Sequence, residues 1–257
     1  MRRPASLVED LRVVDQDGYA VRLEWGLDGV HVLGRSCGAL VVVDVLSFST
    51  TTDLLVAAGC SVLRARKQAG RAGAVFVAGD MSPPRPSLLP ELPTGTLVAL
   101  PSPNGATLAT TASGSGAVAL AGCLRNARAV AGAALRVAGG RPVGVVPAGE
   151  RWGPTHEGGL RPAIEDLLGA GAVVAALAGL GAAPASPEAV LAADAFHAAR
   201  PRLSKVLRDC VSGRELADAG LPADVSLAAE VDASDTAPVL VAGRFVDAWA
   251  RWGNTDG

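Results

Sequence analysis

Lysine, aromatic rings and paired cysteines are scarce in this 257-residue chain, and each scarcity narrows what it can be. Lys67 and Lys205 are the two lysines among 23 basic residues, so planar recognition of an oxyanion falls to the arginine fork. Aromatics make up 4%, against 31 glycines and many alanines, which predicts a core of small side chains with helices lying close to sheets. Cys37, Cys60, Cys123 and Cys210 form no C-x-x-C pair and no dense disulfide pattern, as expected of reduced thiols in a cytoplasmic protein. His31, His156 and His197 are too dispersed for a zinc site. No G-x-x-x-x-G-K-[ST] or G-x-G-x-x-G follows a strand, so nucleotide chemistry has no motif behind it. A formal charge of −2 excludes a general basic field, and with it non-specific attraction to nucleic acid or to an acidic membrane. The opening MRRPASLVEDL has no apolar core and does not read as a secretory signal. The apolar run Leu167 to Ala183 is slightly short for a membrane span and reads as a buried helix.

What is present is enough to build one core, with 49% hydrophobic residues. The reading is a single domain over 1–257, or two intimate lobes meeting near 181–187, where GLGAAPASPE forms a linker. Ala39 to Val45 is a β-branched run ending at an acid, followed by SFSTTTD, and predicts a buried strand, a hydroxyl-rich turn and a helix through Leu54 to Ala58. Strands are further expected at Ser61 to Ala65, Ala74 to Ala78, Thr96 to Leu100, Ala117 to Leu120, Pro142 to Val146, Ser226 to Val231 and Pro238 to Ala242. Helices are expected from Ala106, over Ala127 to Val137 and from about Pro162 to Leu180, with a further one capped by Ser186 ahead of Pro187. This alternation predicts a layered α/β/α fold with a mixed or largely parallel sheet.

Ligands of open α/β sheets bind beyond the carboxyl ends of strands, and four predicted strand ends are polar. At the first, Asp44 precedes Ser47, Ser49, Thr50 and Thr51. These groups suit a cation beside a phosphate at a helix N-terminus, and equally suit ordinary capping. At the second, Asn104-Gly105 forms a turn. At the third, Arg125-Asn126 offers a guanidinium that either grips an anion or lies solvated on the surface. The fourth collects Glu150, Arg151, His156, Glu157 and Arg161 after a strand, with Glu165 and Asp166 one turn into an apolar helix. Those two acids either favour the helix dipole or bind magnesium, which needs one or two carboxylates completed by water and substrate oxygens. Cys60 and Arg66 have the spacing of cysteine phosphatases but lack the glycines of a phosphate loop. Asp44 is followed two residues later by Leu46 where an aspartyl-phosphate enzyme needs a second acid.

Four segments in order, VVVDVLSFSTTTD (41–53), LPSPNGATLA (100–109), LRPAIEDLLGAGAVVAAL (160–177) and SGRELADAGLPADVSLAAEVDASDTAPVL (212–240), resemble the 2-phosphosulpholactate phosphatase (ComB-like) family. The resemblance implies the α/β fold of that family, hydrolysis of a phosphate ester on a small sulphonated acid, and Mg2+ as cofactor. In the metal-assisted phosphatase reading of these strand ends, Asp44, Glu165 and Asp166 are the catalytic acids that hold the metal or orient water. Ser47, Ser49, Thr50, Thr51, Asn104, Arg125, Asn126 and Arg161 become the substrate contacts. The expected partner is a small-molecule phosphate ester, with a homodimer as the assembly to test. One departure stands out: members with the described activity carry arginine after D-V-L, where this chain has Ser47. A non-catalytic small-anion-binding member of the family is the alternative reading.

Overall fold

The computed structural model describes residues 14–63, 73–76, 85–153 and 158–253. Arg66, the end of the strand expected over Ala74 to Ala78, His156 and Glu157 lie outside the described residues. The strands are β1 (Val21–Leu23), β2 (Ala39–Val43), β3 (Ser61–Leu63), β4 (Val75–Phe76), β5 (Leu97–Ala99), β6 (Val118–Gly122), β7 (Val143–Pro147), β8 (Glu150–Arg151), β9 (Leu160–Arg161), β10 (Pro238–Val241) and β11 (Arg244–Asp247). The helices are α1 (Gly26–Leu33), α2 (Phe48–Ala57), α3 (Gly105–Gly114), α4 (Ala127–Ala138), α5 (Ile164–Gly179), α6 (Pro187–Ala199), α7 (Leu203–Asp209), α8 (Val211–Asp218), α9 (Pro222–Ala228) and α10 (Ala248–Trp252).

Among the described residues, nine strands form one mixed sheet in the order β1-β7-β2-β6-β10-β11-β3-β5-β4, and β8 and β9 form a separate hairpin. The continuous apolar sequence of β2 follows from its place: it pairs in parallel with β7 on one side and β6 on the other, so both its faces are covered. Val41 and Val43 enter a core with α4, α5 and α6, while Leu40 and Val42 enter a second core with α1, α2 and α3. The result is a layered α/β/α fold. The sheet is not wholly parallel, because the β10–β11 hairpin pairs antiparallel with β6 and with β3 and so joins two parallel blocks.

Three local expectations need correction. Ser226 to Val231 is not a strand: Pro222 opens α9, where its fixed φ and missing N–H suit a first helical turn, and the helix runs through Ala228. The Ser/Thr turn after β2 is itself helical, since α2 begins at Phe48. Pro162 precedes α5 instead of opening it, because Arg161 is held in the β8–β9 hairpin and Ala163 is the extended residue before the first turn. Ser186 does cap α6, its side chain accepting the Ala189 N–H at 3.2 Å ahead of Pro187. The linker before it is stitched to the sheet edge, Pro184 accepting from Ala20 and Ser186 donating to Val21. No helix among the described residues is long and apolar enough to cross a membrane.

Candidate active site

β2 and β7 are neighbours and parallel, so their carboxyl ends open side by side, and the first turn of α5 passes beneath both. Four acids meet there: Asp44 after β2, Glu150 after β7, and Glu165 and Asp166 from α5. Asp44, Glu165 and Asp166 are 6%, 2% and 4% exposed.

The two aspartates are fastened by main-chain donors. Asp44 accepts the Phe48 N–H at 3.1 Å on one oxygen and the Gly105 N–H at 2.9 Å on the other, tying β2 to the N-termini of α2 and α3. Gly105 is required by that closeness, since a Cβ there would stand 2.7 Å from the Asp44 carboxylate. Asp166 accepts the Val45 N–H and the Gly149 N–H, each at 2.8 Å, and so braces β2 against β7. Gly149 has a φ of +66°, a backbone state that favours glycine.

The glutamates are held less tightly. Glu165 receives the Cys210 thiol at 3.4 Å. Glu150 receives the Asn104 side-chain amide at 2.9 Å and pairs across the hairpin with Arg161.

Crowding of like charge away from water leaves its mark on proton affinity. Burial, together with the charge of Glu165, raises Asp44 above its ordinary value against the pull of its two N–H bonds. Burial, then Asp44 and Glu165, hold Asp166 well above the carboxylate range. The same causes push Glu150 to about 7, opposed by the Asn104 hydrogen bond and the nearby Arg161.

The substrate contacts expected at the other strand ends are distributed differently. The Ser49 hydroxyl donates to Val42 and accepts from the Asp44 N–H, Thr50 donates to the Val45 carbonyl, and Thr51 to that of Ser47. These hydroxyls hold the β2–α2 turn in shape. Ser47, 7% exposed, lies within that turn. Arg125 is not a solvated surface arginine: it is 7% exposed and bonds Asp53 at 3.3 Å, the Leu227 carbonyl and Glu230. Asp53, with no exposure, also accepts from Ser234 and Thr236, so the guanidinium balances an internal charge. Asn126 bonds the Cys123 N–H and the Ala121 carbonyl and shapes the end of β6. Of the expected contacts, Asn104 and the half-buried Arg161 stand beside the acids. Glu150 was visible only as one of several polar residues after a strand; its partners Asn104 and Asp44 are too distant in the chain for local pattern to reveal.

A cleft of about 240 Å³ opens beside the acids, with Trp25, Pro103, Asn104, Gly149, Glu150 and Leu160 among its walls. Among the described residues, no three His, Cys, Asp or Glu side chains gather closely enough to hold a metal ion by themselves. The hard oxygen donors nonetheless suit magnesium, which takes one or two carboxylates and fills its octahedron with water and substrate oxygens.

The family model for 2-phosphosulpholactate phosphatase matches residues 70–243. Asn104, Glu150, Arg161, Glu165 and Asp166 fall within the match, and Asp44 precedes it. No curated protein matches the sequence. With well over half of its length matched, the chain belongs to the 2-phosphosulpholactate phosphatase family and is a phosphoric monoester hydrolase.

Proposed function

We propose that the chain hydrolyses a small phosphate monoester with the help of magnesium, and that the acids at the ends of β2 and β7 are its catalytic centre. The observation that carries this reading is the meeting of Asp44, Glu150, Glu165 and Asp166, where burial first, and then the like charge around them, raises the proton affinities of Asp44, Glu150 and Asp166. Such a group repels a phosphate until a cation neutralises it. A purely anion-binding role without a cation therefore fits the electrostatics poorly.

Glu165, with Asp44 beside it, would hold the ion, and Asp166 keeps both in register through its two main-chain bonds. When bound, magnesium supplies charge neutralisation and polarisation of the phosphoryl oxygens. Arg161 stands next to Glu150, where its guanidinium can meet phosphate oxygens. Glu150, on the cleft wall and raised in proton affinity first of all by its burial, is suited to give its proton to the departing ester oxygen. As a water oxygen bonds to phosphorus, the ester P–O bond breaks, the alcohol leaves carrying that proton, and a proton of the attacking water returns to the Glu150 carboxylate as hydrogen phosphate forms.

The test measures phosphate release from p-nitrophenyl phosphate with magnesium and with EDTA, in wild type, Glu165→Gln and Glu150→Gln. Activity should require the ion, fall at least a hundred-fold in Glu165→Gln, and lose its titration near neutral pH in Glu150→Gln. Full activity in EDTA, or in Glu165→Gln, would refute the assignment.

A further inference from the structure

At the junction of α7 and α8 the chain turns a corner over Cys210, Val211 and Ser212, and the first and third of these meet residues of the reaction centre. Half-buried Cys210 ends one helix and caps the next: its N–H donates to the Val206 carbonyl at 3.0 Å, and its sulphur accepts the Gly213 N–H at 3.4 Å. Gly213 is dictated by the tightness of the bend, since a Cβ there would lie 1.8 Å from the Leu207 carbonyl oxygen. Val211 is exposed, whereas Ser212 is buried. The thiol reaches Glu165 at 3.4 Å from 45 residues away, and the Ser212 hydroxyl receives the Arg161 guanidinium at 3.4 Å from 51 residues away. The thiol has one proton and two acceptors, because the Leu207 carbonyl lies 3.1 Å from the same sulphur. Glu165 thus gains a fixed neighbour that withdraws little of its charge, and the thiol keeps a partner when a cation takes the carboxylate.

We propose that this corner positions the reaction centre, with Cys210 fixing the Glu165 carboxylate for its cation and Ser212 fixing Arg161 for the phosphate. The inference rests on the magnesium-dependent phosphatase reading and adds two positioning residues to it. Asp44 and Asp166 are each oriented by two main-chain donors, and for the longer side chain of Glu165 the thiol takes that part. Arg161 is half-buried on the two-residue strand β9, where Ser212 engages one nitrogen and leaves the rest of the fork for phosphate oxygens. Partners that orient a metal-binding group are typically worth about ten- to a hundred-fold in metal affinity, and a weak thiol donor belongs at the lower end of that range.

The experiment uses the full chain as wild type, Cys210→Ser, Cys210→Gly, Cys210→Ala and Ser212→Ala. Magnesium affinity is read by isothermal titration calorimetry, kcat and KM with p-nitrophenyl phosphate, and Tm in EDTA. Serine keeps both the cap and the donor; glycine is a tolerable cap and alanine a poor one, and both lack the donor. Cys210→Gly and Cys210→Ala should therefore bind magnesium about ten-fold more weakly, to the same extent despite different Tm values, while Cys210→Ser stays close to wild type. Ser212→Ala should keep the magnesium affinity and raise KM severalfold with little change in kcat. The proposal is overturned if magnesium affinity is unchanged without the donor, if it follows Tm instead of the donor, if serine does not restore it, or if Ser212→Ala weakens it equally or leaves KM unmoved. Each of those results leaves the phosphatase reading intact. A wild type that binds no magnesium overturns both, and is recognised without any variant.

Discussion

Asp166→Asn separates a brace from a charge. The substitution keeps the shape of the side chain but replaces one acceptor oxygen by an NH2 group. In the native protein both oxygens receive main-chain N–H donors at 2.8 Å, from Val45 and Gly149, so whichever way the amide turns, one donor faces another. Losing a hydrogen bond to a charged group costs about 1.5–3 kcal/mol. Removing a carboxylate from among Asp44, Glu165 and Glu150 returns part of that, because burial, and then the charges of its neighbours, hold Asp166 well above its ordinary proton affinity. The expected balance is a loss of about 1–2 kcal/mol, or a Tm lower by roughly 2–8 °C for a chain of this size. Glu165→Gln is the contrast, since Glu165 receives a weak thiol donor in place of two main-chain ones. It relieves the same repulsion without breaking the brace, and its Tm should equal or exceed that of wild type. Thermal unfolding followed by circular dichroism in EDTA near pH 7 measures both. An Asp166→Asn protein as stable as wild type, beside a destabilised Glu165→Gln, would refute the reasoning.

The metal-free protein should lose stability as pH rises through the window between the ordinary glutamate value of 4.5 and the value of about 7 that Glu150 has when folded. There the folded state keeps a proton that the unfolded chain has released, and Asp166 acts in the same direction. Magnesium should therefore raise Tm more at about pH 8 than at about pH 6, and an equal rise at both would count against a cation among these acids. Arg125→Met should destabilise by about 3–5 kcal/mol in urea unfolding, because it strands the fully buried Asp53. Cys60→Ser should keep the kcat of wild type: burial raises this thiol and disfavours the nucleophilic thiolate, and a folded but inactive variant would reinstate a cysteine route.

The chain declared its parallel elements clearly. ALVVV at 39–43 admits no polar face, and only a strand covered on both sides uses such a run. Ser186-Pro187 marked a helix start through chemistry confined to adjacent residues. The acids of α5 were legible as well, since two carboxylates heading an uncharged helix invite explanation. What stayed hidden depends on pairing at a distance. Arg125 meets Asp53 and Glu230 from 72 and 105 residues away, and nothing local distinguishes it from a surface arginine. The hydroxyls of Ser49, Thr50 and Thr51 looked available for phosphate because the carbonyls they bond are supplied by the sharp turn out of β2, which propensity does not describe. Ser226 to Val231 reads as a strand ending at an acid, but Pro222 starts a helix that runs through Ala228 and takes up the segment's first residues.

The antiparallel ribbon of β10 and β11 also sets a timetable for synthesis. Residues 238–247 leave the ribosome after every other strand of the sheet. Until they do, β6 lacks its Val239 partner and β3 lacks Arg244 and Phe245, so two open strand edges face the solvent within one nascent polypeptide. The block that carries the acids, β1-β7-β2-β6 with α5, has by then all its own strands and can assemble first. A ribosome halted before residue 238 would thus display a nearly complete reaction centre beside unpaired edges, the kind of surface that holdase chaperones bind and that neighbouring nascent chains on a polysome can template.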